Sequence, residues 1–203
     1  MLSSVLRSKV WFVVSLFVCL PILFVLTGAG NSYAAQYAVD KGSDMYSFTA
    51  GVVSAAGDLY EEGGDGSTTI LVMPSFAHFA MRNFAVGGDL LLMHSKQGDT
   101  GTSVLGLGPK AMYCFGRENS KAYPFLTAAV YYVTYTIDYG RVSSTTSGTR
   151  VKLGAGSIFG VRPHLGILAE VSYNIDNLKE KDAKKSMSGN MIIAQIGLVG
   201  FSF

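Results

Sequence analysis

The stretch Leu165-Gly-Ile-Leu-Ala-Glu-Val-Ser-Tyr-Asn-Ile175 decides how this chain is to be read. Leu165, Ile167, Ala169, Val171 and Tyr173 fall on one parity, and Gly166, Glu170, Ser172 and Asn174 on the other, with Leu168 as the exception. A period of two sends alternate side chains to opposite faces of a strand. One face here is greasy; the other is small, polar or acidic. The 11 residues also match the roughly 9 to 11 that a tilted strand needs to cross a bilayer.

Seven further segments read the same way: 45–55, 68–79, 84–94, 103–115, 123–135, 149–161 and 189–203. In 103–115, Leu105, Leu107, Ala111, Tyr113 and Phe115 stand against Gly106, Gly108, Lys110 and Cys114. Gly, Ser, Asn and Asp clusters separate the segments, as turn chemistry requires. Only 15% of the 203 residues are charged, against about 25% in an average soluble domain. No segment after residue 35 reads as a membrane-spanning helix. Hydrocarbon offers no partner for backbone amides, so strands cross it only as a closed barrel without edges.

The connections alternate in length. Those at 80–83 and 161–164 are short and that at 116–122 is intermediate, whereas 56–67, 95–102, 136–148 and 176–188 are longer and more polar. Short turns on one side and long loops on the other mark a bacterial membrane barrel, with the short side periplasmic. Eight strands then put both termini on that side. The aromatics agree. Tyr46, Phe48, Phe76, Phe79, Phe84, Tyr113, Phe115, Tyr123, Phe125, Phe159, Phe201 and Phe203 gather at the periplasmic strand ends, with Tyr135, Tyr139 and Tyr173 at the other rim. Interfacial girdles are the expected place for them.

Residues 1–34 are set apart from the barrel. Arg7 and Lys9 precede an uncharged apolar run over 10–26, and 27–34 turns small and polar, ending Ser32-Tyr33-Ala34. These are the three regions of a secretory signal peptide, with cleavage after Ala34. The competing reading is an uncleaved anchor, since the run lies at the lower edge of the roughly 17 to 25 residues of a spanning helix. Pro21 in its middle and the small-residue exit favour cleavage. Residues 35–44 then form a periplasmic lead-in to a barrel over 45–203. Without Arg7 and Lys9 the product holds 14 basic and 14 acidic residues, and no basic patch argues for nucleic acid. Cys114 alone remains of two cysteines, so no internal disulfide staples the chain.

An eight-stranded barrel has an interior just wide enough for its own side chains. The inward parity therefore carries a filling, and its charges are Asp89, Lys110, Lys152 and Glu170. Centring the hairpin of the third and fourth strands near residue 98 sets Asp89 opposite Gly108. Lys110 is then its diagonal neighbour, and an internal ion pair is expected. Lys152 and Glu170 are offset by several residues, a looser relation. Buried charges are tolerable when paired and hydrogen-bonded.

The chain ends Gln195-Ile-Gly-Leu-Val-Gly-Phe-Ser-Phe203, with Gly197, Phe201 and the closing aromatic Phe203. This ending resembles the C-terminal β-signal that the barrel assembly machinery recognises. More widely, Gly57-Asp-Leu-Tyr-Glu-Glu, Pro74-Ser-Phe, Leu105-Gly-Leu-Gly-Pro-Lys, Tyr123-Pro-Phe-Leu and Leu153-Gly-Ala-Gly carry a resemblance across nearly all of 45–203. The chain is similar to the small outer-membrane β-barrel domain family, which includes the transmembrane domain of outer membrane protein A. That resemblance implies the scaffold and an outer-membrane location. It leaves the activity open, because the family holds adhesins, lipid-modifying enzymes and proteins of other roles.

The residues offer little chemistry. His78 and His164 sit by periplasmic turns, and His94 lies near the outer rim beside Ser95, with Asp99 beyond. A nucleophile needs a base in hydrogen-bond reach and a third group orienting it, and the His-x-Ser arrangement of lipid A deacylases is absent. Glu61, Glu62 and Asp65 make an acidic outer loop without EF-hand spacing. Lys179, Lys181, Lys184 and Lys185 give the last outer loop a basic run that reads as a solvated face or a contact for lipopolysaccharide phosphates. No catalytic, metal-binding or cofactor-binding set is assigned, and no cofactor is expected.

The expectation is an all-β protein: an eight-stranded antiparallel up-and-down transmembrane barrel in the outer membrane of a Gram-negative bacterium. Its role is structural or interactive, with a filled lumen. The expected partners are outer-membrane lipids, lipopolysaccharide, the assembly machinery and an unidentified extracellular ligand. Three alternatives stay open: a narrow channel for small or apolar solutes, a lipid A-modifying enzyme, and a soluble periplasmic calyx.

Overall fold

The computed structural model describes residues 38–56, 68–97, 100–117, 120–139, 143–179 and 186–203. Ala34, the acidic loop Glu61, Glu62 and Asp65, Asp99, and Lys181, Lys184 and Lys185 lie outside them. Eight strands follow in order: β1 Asp44–Ala56, β2 Thr68–Met81, β3 Phe84–Gln97, β4 Thr100–Cys114, β5 Ala122–Tyr139, β6 Ser143–Arg162, β7 Leu165–Lys179 and β8 Ser186–Ser202. Each pairs antiparallel with its neighbours, and β8 returns to β1, from Asp44 opposite Ser202 to Ala56 opposite Asn190. The fold class expected from the period-two pattern is the one found.

The pleat sorts the side chains as the alternation requires. On β4, Leu105, Leu107 and Tyr113 are exposed on the outer face, while Val104, Lys110, Met112 and Cys114 are buried inside. On β7, Ile167, Val171 and Tyr173 face out, and Leu168, Glu170, Ser172 and Asn174 face in. Leu168, the exception to the alternation, belongs to an inner apolar cluster. The outer face is a continuous belt of Leu, Val, Ile and aromatic residues, and a soluble calyx would turn that face inward. Polar outward residues end the belt at one rim: His94, Ser103, Thr134, Thr149 and Asn190.

Two expectations about the ends are corrected. The connections expected at 95–102 and 136–148 are mostly strand. β3 and β4 stay paired up to Gln97 opposite Thr100, and β5 and β6 up to Asp138 opposite Ser143. Polar Ser and Thr residues continue the ladder beyond the apolar belt because backbone pairing does not need a greasy face. Side-chain contacts such as Thr134 with Ser147 at 3.3 Å reinforce it.

The aromatics expected in a periplasmic girdle, at the end holding the termini, also do not form one girdle. Tyr113, Phe115 and Phe159 face outward, but Phe79, Tyr123, Phe125 and Phe201 turn into the barrel and are buried. They close that mouth together with residues ahead of β1. Val39 is buried among them, and its carbonyl accepts the Asn83 N–H at 2.8 Å. Asn83, in the β2–β3 turn, sits at φ 66°, a left-handed conformation that Asn tolerates better than most residues.

Candidate functional site

The inward parity builds three layers along the lumen. The end near the termini is apolar, with Val39, Met45, Phe79, Met112, Phe125 and Ile158 among its members. The opposite end is a second apolar cluster that includes Leu71, Met73, Leu91, Met93, Met191 and Ile193. Between and beside these lie six buried charges among the described residues: Asp89, Glu170 and Asp176 against Lys110, Lys152 and Arg150. Three of each sign leave the interior neutral. The lumen is thus greasy at both ends rather than wet or ionic throughout, because a cylinder this narrow is filled by side chains from every wall.

Asp89 faces Gly108 across the β3–β4 ladder, and its carboxylate lies 2.9 Å from Lys110 Nζ on the diagonal. Tyr131 from β5 donates its hydroxyl to the same carboxylate at 2.7 Å. Lys110 also donates to Ser75 Oγ on β2. One ion pair is therefore held by four strands. Lys152 stands opposite Asn174 and Glu170 opposite Gly156. That four-residue offset is spanned by the long lysine side chain, and Nζ reaches Glu170 Oε1 at 2.8 Å. Thr127 donates to Oε1 at 3.0 Å and Gln195 to Oε2 at 2.8 Å. A Cβ at Gly154 would collide with this carboxylate, so the glycine makes its room.

The best-formed pair escaped the reading of the sequence. Arg150 on β6 is fully buried and donates through Nε to Asp176 Oδ1 at 2.6 Å and through Nη2 to Oδ2 at 2.8 Å. Tyr135 donates to Asp176 Oδ2 and accepts from Arg150 Nη2, both at 2.5 Å. A two-pronged guanidinium–carboxylate contact is among the strongest of charge-assisted hydrogen bonds. Asp176 shares the parity of Glu170, Ser172 and Asn174, and Arg150 that of Lys152. Arg150 lies within the strand expected at 149–161, but Asp176 falls in the connection expected at 176–188, so the parity pattern leaves the arginine without its partner.

The remaining candidates lie apart from this network. His94 Nδ1 meets Ser103 Oγ at 3.0 Å on the outer face. Ser95 points the other way and accepts from Thr69 at 3.0 Å, so His94 and Ser95 are not partners. His78 pairs with Asp44 at 2.8 Å at the rim near the termini. His164 Nδ1 lies 3.1 Å from the Phe201 carbonyl oxygen and stacks on Phe203. Of the C-terminal residues, Phe201 is buried in the inner cluster, Phe203 packs against it, and Gly197 lies against the backbone of Phe48 and Thr49. Cys114 is buried and unpaired. Among the described residues no three His, Cys, Asp or Glu side chains gather as a metal site would need, and no helix is long and apolar enough to cross a membrane.

No protein-family model matches the chain, and no curated protein matches it in sequence. Solved structures do share its fold. Neisserial surface protein A is similar over 80% of this chain and 98% of its own, with a TM-score of 0.61 and 17% identity. The attachment invasion locus protein Ail of Yersinia pestis covers 78% of this chain and 99% of its own, with a TM-score of 0.51 and 15% identity. The N-terminal β-barrel domain of OprF from Pseudomonas aeruginosa covers 80% and 98%, with a TM-score of 0.51 and 12% identity. The chain has the eight-stranded fold of outer-membrane β-barrels.

Proposed function

We propose that this protein is an integral outer-membrane barrel with a structural or surface-interaction role, its lumen sealed and both termini in the periplasm. The sealed lumen carries the proposal: neutral, paired charges are bracketed by two apolar layers, inside a wall whose outer face is greasy. The orientation is supported by the inward and outward aromatics at the end holding the termini and by the contrast between the turns 82–83 and 163–164 there and the connection 57–67 opposite, while the connections 98–99 and 140–142 opposite are as short as those turns. An ion entering such a lumen would have to shed its water and break pairs that are themselves desolvated. The expected partners are outer-membrane lipids, lipopolysaccharide and the barrel assembly machinery, with the outer connections as the contact surface for an extracellular ligand.

Planar-bilayer recording tests this directly. A sealed barrel gives no steady conducting state, whereas regular ion-permeable openings would favour the narrow-channel reading. One contact favours an enzymatic alternative: His94 and Ser103 are bonded on the lipid-facing side of the outer rim. Among the described residues no carboxylate orients that ring, which a serine nucleophile needs. Lipid A mass profiles with and without expression should coincide. Replacing Lys179, Lys181, Lys184 and Lys185 by Gln should weaken lipopolysaccharide association if the last outer loop makes the contact.

A further inference from the structure

Bulges aside, among the described residues the barrel's ladders break at three places, and at one of them pairing does not resume. The β1–β2 ladder runs from Asp44 opposite His78 to Gly51 opposite Leu71 and stops. Continuing that register would set Val52 against Ile70, Val53 against Thr69 and Ser54 against Thr68, yet among the described residues no pairing joins them. Both edges are held firmly on their far sides: β1 stays paired to β8 as far as Ala56, and β2 to β3 from Thr68. The other interruptions differ in kind. Those at Met73–Pro74 and Gly108–Pro109 resume on both sides and contain a proline, which has no N–H to give. The other three hairpins at this rim pair up to their turns, at Gln97 with Thr100, Asp138 with Ser143 and Lys179 with Ser186.

The slot lies at the upper edge of the apolar belt. Val52 and Ile70, its outward residues, are 70% and 60% exposed. Val53, on the inward parity, is only partly buried and packs against the upper apolar cluster. That cluster contains Met73, Met93 and Met191, unbranched side chains that repack around a guest more readily than branched ones. Below it the buried ion pairs close the way down. Backbone groups without a ladder partner among the described residues, at the margin of hydrocarbon, need a polar partner, and three residue rows at about 3.3 Å each give a slot about 10 Å long.

We infer that this slot is a binding site for a single-chain amphiphile from the outer leaflet. Its polar head meets the unpaired strand edges, and its acyl chain lies against Val53, Leu71 and the methionines. The site is a dead end, not a passage, because the ion-paired layer lies beneath it. The inference rests on the membrane location proposed above.

The test uses an anthroyloxy-labelled stearate and protein inserted in phosphatidylcholine vesicles, in a Cys19→Ser, Cys114→Ala background. Insertion is checked first by the mobility difference between unboiled and boiled samples. Saturable binding near one probe per barrel, displaced by unlabelled stearate, is expected. Oxidising Val53→Cys with Thr69→Cys to staple the slot should weaken binding at least tenfold, and a reductant should restore it. The same staple across a paired ladder, Ser95→Cys with Thr102→Cys, should leave binding unchanged. If the slot staple does not form, Val53→Trp fills the slot and should weaken binding comparably. An inserted protein whose probe uptake equals that of empty vesicles, or whose binding ignores both closures, overturns the site alone. A protein that does not insert overturns the membrane reading together with it.

Discussion

Replacing Asp176 by leucine removes the acceptor of three hydrogen bonds at once: two from Arg150, at 2.6 and 2.8 Å, and one from the Tyr135 hydroxyl at 2.5 Å. The arginine left behind is 0% exposed, so water cannot take the place of the carboxylate. Hydrogen bonds to charged groups contribute about 1.5–3 kcal/mol each, but these three share one carboxylate and do not add. The controlling quantity is the stranded charge, and breaking a buried pair from one side costs about 3–5 kcal/mol. Removing both partners as Arg150→Leu with Asp176→Leu strands no charge, only the neutral Tyr135 hydroxyl, and such exchanges are often neutral or stabilising. The double variant is therefore expected to recover most of the loss. Urea titration of the vesicle-inserted protein, with the folded fraction read from unboiled gel mobility, resolves this. With a slope of about 1–3 kcal/mol per molar urea, the single variant should lose about 1 M or more in midpoint. A double variant that unfolds at the same urea concentration as the single one would refute the reasoning, since the cost would then come from lost packing and not from an unpaired charge.

Two further expectations use the same titration. Leu107, 65% exposed on the outer face, lies within the belt, and Leu107→Arg should cost about 2–4 kcal/mol, against about 0–1 for Thr134→Arg at its polar edge; equal losses would mean the belt does not contact lipid. A Cβ at Gly108 would collide with the Val130 carbonyl oxygen, whereas one at Gly88 meets nothing nearer than 3.4 Å. Gly108→Ala should therefore lose about 1–3 kcal/mol through overpacking while Gly88→Ala stays close to the parent, and a tolerated Gly108→Ala would show that β4 and β5 are not so closely apposed.

The wall was legible in the sequence and the filling only partly so. Leu165 to Tyr173 and Leu105 to Phe115 announce their faces because a strand has one periodicity and a bilayer rewards one side of it. Asp89 and Lys110 were legible as a pair because centring their hairpin near residue 98 gives the register that the ladder has, with Asp89 opposite Gly108. Asp176 was missed for the converse reason: polar residues at 176–179 look like loop, although the ladder extends through them, and Arg150, on the inward parity of the expected strand 149–161, was left without a visible partner. The greasy ends of the lumen were missed because inward Met45, Phe79, Met93 and Met191 interrupt a parity otherwise small or polar, and parity alone does not separate a lipid-facing aromatic from a plugging one. The β1–β2 slot leaves no mark in sequence at all. Val52-Val53-Ser54 and Thr68-Thr69-Ile70 have good strand composition, and only the three-dimensional pairing shows that they do not meet.

The central claim is that this cylinder is greasy outside and sealed within, and a spin-label accessibility scan of 165–175 in vesicles tests it most directly. Labels at 165, 167, 169, 171, 173 and 175 should collide freely with oxygen dissolved in hydrocarbon, and labels at 166, 168, 170, 172 and 174 should be shielded from both oxygen and a water-soluble nickel chelate. Oxygen collision without a two-residue period, or nickel reaching the even-numbered positions as it reaches bulk solvent, would contradict the account.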